Sequence, residues 1–181
     1  MTRFAQFLKD DRGTATIEFL FVFPIIFTVF TASFESSLYM AKYVMFERGV
    51  DIVVRQIRLG NGAGLTHQRL KEEICDVGIM VNSVADCMAR LRIWMQPVNT
   101  AAFNPAAIPN NTCVERASDL NLDEPPANEF AYGTDNDIML MKICLKEWPI
   151  FPTTAVSVRM PPQPDGSVAM TVSTVFVNEP G

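Results

Sequence analysis

The sequence predicts an α+β protein in which a long N-terminal helix, membrane-spanning at first and amphipathic later, packs on a small antiparallel sheet. Three observations carry that expectation. An apolar run fills residues 14–34, and apolar residues then recur at helical spacing as far as residue 57. Three later stretches, around 91–95, 137–148 and 167–177, are rich in β-forming residues and bounded by turn signals.

The apolar run comes first. From Thr14 to Phe34 only Glu18 is ionisable. A helix of that length measures about 31 Å, against a hydrocarbon core of about 30 Å. A secretory signal cut near Thr31, Ala32 and Ser33 is one reading, but such signals have a shorter apolar region. A permanent anchor and a segment cut on its cytoplasmic side are the other two. Arg3, Lys9 and Arg12 precede the run, whereas only Lys42 and Arg48 lie in the twenty residues after it, so the N-terminus is expected inside. Pro24 removes one helical hydrogen bond in mid-span, which membrane helices tolerate when neighbouring groups or local adjustment satisfy the freed carbonyl.

Beyond the run, Tyr39, Tyr43, Phe46, Val50, Val53 and Ile57 follow a 4-3-4-3-4 spacing, a stripe on one helix face that reads as a seam packing on the chain's own domain. Gly60–Gly64 ends this helix. Thr66 is an N-cap for a second helix to Val77, with Gly78 as its stop, and the lone His67 beside that cap is expected to be solvated. Ser83 caps a short turn through Cys87, and Leu91, Ile93 and Met95 then alternate with polar or larger residues as a half-buried strand. Residues 97–136 form a Pro- and Asn-rich loop. Asp137–Trp148 is apolar on both faces and therefore a central strand, with Met139 and Met141 as core fillers. Pro161–Gly166 turns into a final strand over 167–177.

All four cysteines, Cys75, Cys87, Cys113 and Cys144, follow the apolar run, and none belongs to a CxxC pair. An even set of this kind fits a disulfide framework in an oxidising compartment better than a metal site. Three pairings are open; Cys75–Cys87 with Cys113–Cys144 is preferred, because it closes a short helical connection and ties the long loop to a strand. The acids Asp119, Asp123, Glu124, Asp135 and Asp137 lack EF-hand spacing, so calcium is not expected. There is no Walker A loop, no GxSxG and no HExxH, and the single histidine has no convergent nucleophile, so neither an enzyme nor a cofactor is expected. A net charge of −5 with scattered Lys and Arg argues against a nucleic-acid partner.

Gly13-Thr14-Ala15-Thr16-Ile17-Glu18-Phe19, a glycine followed five residues later by Glu and an aromatic at the edge of an apolar helix, has the form of a class III prepilin signal. With this "RGTATIEF" opening, Pro24 in the span and the closing "FVNEP" (Phe176–Pro180), the chain resembles the TadE/TadG-like minor pilins, or pseudopilins, of bacterial tight-adherence (Tad, type IVc) pilus systems. The resemblance implies a pilin-like fold and cleavage between Gly13 and Thr14 by a prepilin peptidase. It divides the chain into a cytoplasmic leader (1–13), a transmembrane segment (14–34), a helix continuation (35–60) and a periplasmic or extracellular α+β domain (65–181). Glu18, with Phe19, becomes the processing and assembly element: its carboxylate pairs with the new α-amine of Thr14 on its own or a neighbouring subunit. The implied partners are the peptidase, other Tad pilins and pseudopilins, an inner-membrane pilus platform and membrane lipid. The implied location is the bacterial inner membrane in a single pass, or the extracellular pilus. The alternative is an uncleaved bitopic inner-membrane protein with a disulfide-stapled periplasmic binding domain.

Overall fold

The computed structural model describes residues 14–61, 66–78, 83–99, 113, 130–152, 163 and 165–179. The expected leader 1–13, most of the 97–136 loop and the final Pro180 lie outside the described residues.

Helix α1 runs Thr14–Gln56, 43 residues, and passes into a wider π turn at Ile57–Asn61. At 1.5 Å per residue α1 is about 65 Å long, twice what a bilayer needs. Its N-terminal half is long and apolar enough to cross a membrane, and only 6% of its most apolar window is buried in the protein. That figure separates it from the core helix of a water-soluble domain, which passes the same apolarity test while covered by its own fold. Three hydroxyls in this half are satisfied locally: Thr28 Oγ1 donates to the Pro24 carbonyl (2.7 Å), Thr31 Oγ1 to Phe27 (3.0 Å) and Ser33 Oγ to Val29 (2.9 Å). Back-bonding of this kind lets a polar side chain sit in hydrocarbon without an orphan donor.

The C-terminal half of α1 lays the expected stripe on the domain. Phe46, Val50, Val53 and Ile57 are buried, and Tyr39 and Tyr43 pack at the margin of the same core. Helix α2 (His67–Gly78) starts where Thr66 accepts the Arg69 N–H on Oγ1 (3.3 Å) and the Leu70 N–H on its carbonyl (3.0 Å). Helix α3 (Val84–Arg90) starts at Ser83, whose side chain accepts the Asp86 N–H. These hydroxyls satisfy N-terminal amides that have no partner within the helix.

Strands β1 (Leu91–Pro97), β2 (Ile138–Glu147) and β3 (Val168–Val177) form one antiparallel sheet in the order β1-β2-β3, with β2 central as its doubly apolar sequence requires. The register sets Ile93 opposite Ile143 and Ile143 opposite Val172, so alternate residues of all three strands face the helices. Leu91, Ile93, Met95, Met139, Met141, Ile143, Leu145 and Met170 form that inner layer with the α1 stripe and with Leu70 and Ile74 of α2. Trp94 departs from the half-buried expectation: it alternates with the core residues yet is itself buried.

Two disulfides staple the domain. Cys75–Cys87 links α2 to α3 (Cα–Cα 5.8 Å), and Cys113–Cys144 fixes a buried point of the long loop to β2 (Cα–Cα 5.3 Å). This is the pairing preferred from the sequence. At the sheet end far from the apolar helix, the buried Asn178 acts as a clasp. It accepts from Tyr132 Oη (2.9 Å), and its Nδ2 donates to the carbonyls of Thr134 (3.3 Å) and Gly133 (3.4 Å). The "FVNEP" ending thus has a structural task at its asparagine.

Candidate functional site

Two separate regions carry the chemistry. The first is the front of α1. Thr14 opens the helix, and Gly13, its expected partner in cleavage, lies outside the described residues. Glu18 is exposed on the helix surface among Ile17, Phe19, Leu20 and Phe21, all of them exposed. The Phe19 ring lies 5.2 Å from Phe23, and Phe23 lies 5.7 Å from Phe27. This i,i+4 aromatic ladder is a ridge that no part of the described domain covers. Glu18 is thus the sole ionisable group between Thr14 and Phe34, on an apolar surface that no part of the described domain covers.

The second region is the end of the domain nearest the apolar run, where β2 leaves the sheet. Glu35 follows the last residue of the apolar run, and it is 5% exposed. Both its carboxylate oxygens are used: Oε1 accepts the Ile150 N–H and Oε2 the Phe151 N–H, each at 2.9 Å. Two turns along α1, Lys42 pairs with Glu147 at the end of β2. Glu147 also receives Arg90 Nη1 (3.1 Å), and Arg90 in turn pairs with Asp86 and lies 5.6 Å over the Trp148 ring. Nearby, Lys146 Nζ meets Asp165 at 2.8 Å, and that hydrogen bond, helped by Ser167, pulls the Asp165 carboxyl down to about 2. Glu35, Tyr39, Lys42, Glu147, Trp148 and Met170 line a cleft between α1 and the sheet. Lys42 and Glu147 pair with each other and the Glu35 carboxylate holds two backbone amides, so the charges of the cleft fix the domain on the helix.

His67 overturns its sequence expectation. Instead of lying in solvent beside the cap, it is 7% exposed, with its ring edge-on to Phe130 at 5.2 Å. It hydrogen-bonds the Ile93 backbone, while Nε2 is buried without a partner. Burial, with repulsion from Lys71 one turn on, lowers its pKa to about 4, so the ring is neutral. Among the described residues no group of three or more His, Cys, Asp or Glu side chains could hold a metal ion.

The structure therefore keeps Glu18 and Phe19 about 26 Å of helix away from Glu35, and it uses the four cysteines as staples within the domain. Sequence reasoning missed Glu35. Its one signal was position, an acid directly after an apolar run, which is equally the mark of any helix leaving a membrane. No protein-family model, curated protein or solved structure matches the chain.

Proposed function

We propose that this chain is a minor pilin or pseudopilin of a Tad-type type IV pilus assembly system, cut by a prepilin peptidase between Gly13 and Thr14 and acting in pilus biogenesis and adherence. In this reading α1 is a single pass through the bacterial inner membrane, and the stapled domain lies in the periplasm. The observation that carries it is the lone carboxylate of Glu18 on an exposed apolar helix, five residues after Gly13. An acid at that depth costs up to about 2.5–3.5 kcal/mol on insertion scales, less near the interface. A pairing partner offsets the cost: an ammonium at about 4 Å in an intermediate dielectric attracts the carboxylate by about 4 kcal/mol. Cleavage creates that partner, the α-amine of Thr14, one helical turn from Glu18.

Three further features support the reading. The aromatic ridge Phe19–Phe23–Phe27 is a surface for neighbouring subunit helices as well as for lipid. The helix continues unbroken from this ridge into the domain, so a contact made in the membrane is transmitted rigidly to the sheet. Both disulfides belong to the part beyond the span, as an oxidising compartment on that side requires.

Gly13→Val tests the proposal. A backbone without Cβ allows close approach of a protease to the scissile bond, and valine blocks it. The variant should accumulate as full-length precursor on an immunoblot. A product still beginning at Thr14 would refute the assignment.

A further inference from the structure

The five residues after β2 read Trp148-Pro149-Ile150-Phe151-Pro152. They descend along α1 from the level of Lys42, where Glu147 is held, to that of Phe34, whose ring meets Phe151 edge-on at 6.5 Å. Phe34 ends the apolar run. Thr31, a turn deeper, is buried, whereas Phe34 itself is 45% exposed. Irregular chain normally avoids the bilayer boundary because its amides need partners. Here Pro149 and Pro152 have no N–H, and the N–H groups of Ile150 and Phe151 both donate to Glu35. The backbone of the segment is thereby largely prepared for leaving water. Its side chains are prepared as well: Ile150 is 53% and Trp148 47% exposed, large for such residues on a water-facing surface. The charges beside them, Lys42, Arg90 and Lys146 with Glu147, Asp86 and Asp165, are mutually paired and leave no basic patch among the described residues.

We infer that residues 148–152 form an interfacial strap. Its Trp148 and Ile150 side chains rest in the headgroup–acyl boundary of the leaflet from which α1 emerges, seating the sheet directly on the bilayer. The occupant of this surface is lipid, because the patch is continuous with the apolar face of α1, and Trp is the residue suited to that boundary. The inference rests on α1 spanning a membrane and is independent of cleavage at Gly13.

The test uses the full chain in phosphatidylcholine vesicles whose acyl chains carry bromine at a shallow or a deep position. With Trp94→Phe, Trp148 is the only tryptophan. Its emission should be quenched more by shallow than by deep bromine, at a depth of about 5–10 Å. The quenching should be equal with and without anionic lipid, and Ile150→Asp should reduce it by at least half. A second chain carrying Phe23→Trp, with Trp94 and Trp148 both changed to Phe, reports α1. Quenching of that probe without quenching of Trp148 overturns the strap and leaves the span intact, whereas loss of both overturns the span. Quenching of Trp148 that requires anionic lipid also overturns the inference, because it makes the contact electrostatic. If Trp94→Phe fails to fold, 19F spectra of the 5-fluorotryptophan-labelled wild-type chain with a paramagnetic lipid give the same reading: one of the two resonances should broaden, and broadening of neither contradicts the strap.

Discussion

Protonating His67 should weaken the domain at a pH where most carboxylates are still ionised. The folded ring titrates near 4, against 6.5 for a solvated histidine, because it is buried beside Phe130 and repelled by Lys71. Its neutral form is the one the fold accepts. Between these two values the unfolded chain binds more protons than the folded one, so stability is complete above about pH 6.5 and declines as pH falls toward 4. The pKa difference corresponds to about 3 kcal/mol once the decline is complete, and to about 2 kcal/mol at pH 5. Asp165, held near 2, contributes little at pH 5 and above, since it remains ionised in the fold and almost fully so in the unfolded chain. The assay is denaturant unfolding of the full chain in non-ionic detergent at about pH 7 and pH 5, followed by tryptophan emission. His67→Gln should lower stability at neutral pH but remove most of the difference between the two conditions. The reasoning is refuted if wild type and variant lose the same stability over this interval, or if NMR shows the imidazole titrating near 6.5.

Three other perturbations follow from the same structure. Cys87→Ser should expose mainly Cys75 to maleimide and cost about 3 kcal/mol by loop entropy, while Cys113 and Cys144 stay unreactive; four reactive thiols in the wild-type chain would remove the staples from the account. Gly133→Ala should lower stability by about 1–3 kcal/mol, because its Cβ would stand 2.6 Å from Sδ of the buried Met139 and 2.9 Å from an Asp137 oxygen held by Thr134; a variant as stable as wild type in the same unfolding assay contradicts that packing. Glu18→Gln should still be cut and inserted, yet fail in piliation, because the Thr14 ammonium loses its counter-charge at the subunit contact. Normal surface pili in a strain carrying it would reduce Glu18 to an interfacial acid.

Local signals were legible in the sequence wherever one element decides its own structure. The Tyr39–Ile57 spacing fixed which face of α1 is buried, Thr66 and Ser83 marked the helix starts, and the doubly apolar run expected over 137–148 marked the central strand, observed at Ile138–Glu147. The α1 boundary differed slightly, since regular helix stops at Gln56 and Ile57–Asn61 widens into a π turn that already includes Gly60. Features made by distant segments were not legible. His67 is buried because Phe130 arrives over it, and Glu35 is buried because two backbone amides 115 and 116 residues away turn toward it. Backbone donors leave no trace in residue identity, so an acid that anchors a strap looks the same in sequence as an acid that simply ends a span. Trp94 was misread for a related reason: strand alternation reports only which face meets the helices, and it is silent on what covers the other.

The intact mass of the chain purified, without reductant, from cells that naturally make it tests the central claim most directly. Processing as a prepilin predicts a polypeptide that begins at Thr14, lighter than its precursor by residues 1–13 and by the four hydrogens lost in forming two disulfides. A mass that retains residues 1–13 contradicts the claim and leaves an uncleaved bitopic anchor, and a chain beginning near Ser33 contradicts it in favour of a secreted protein.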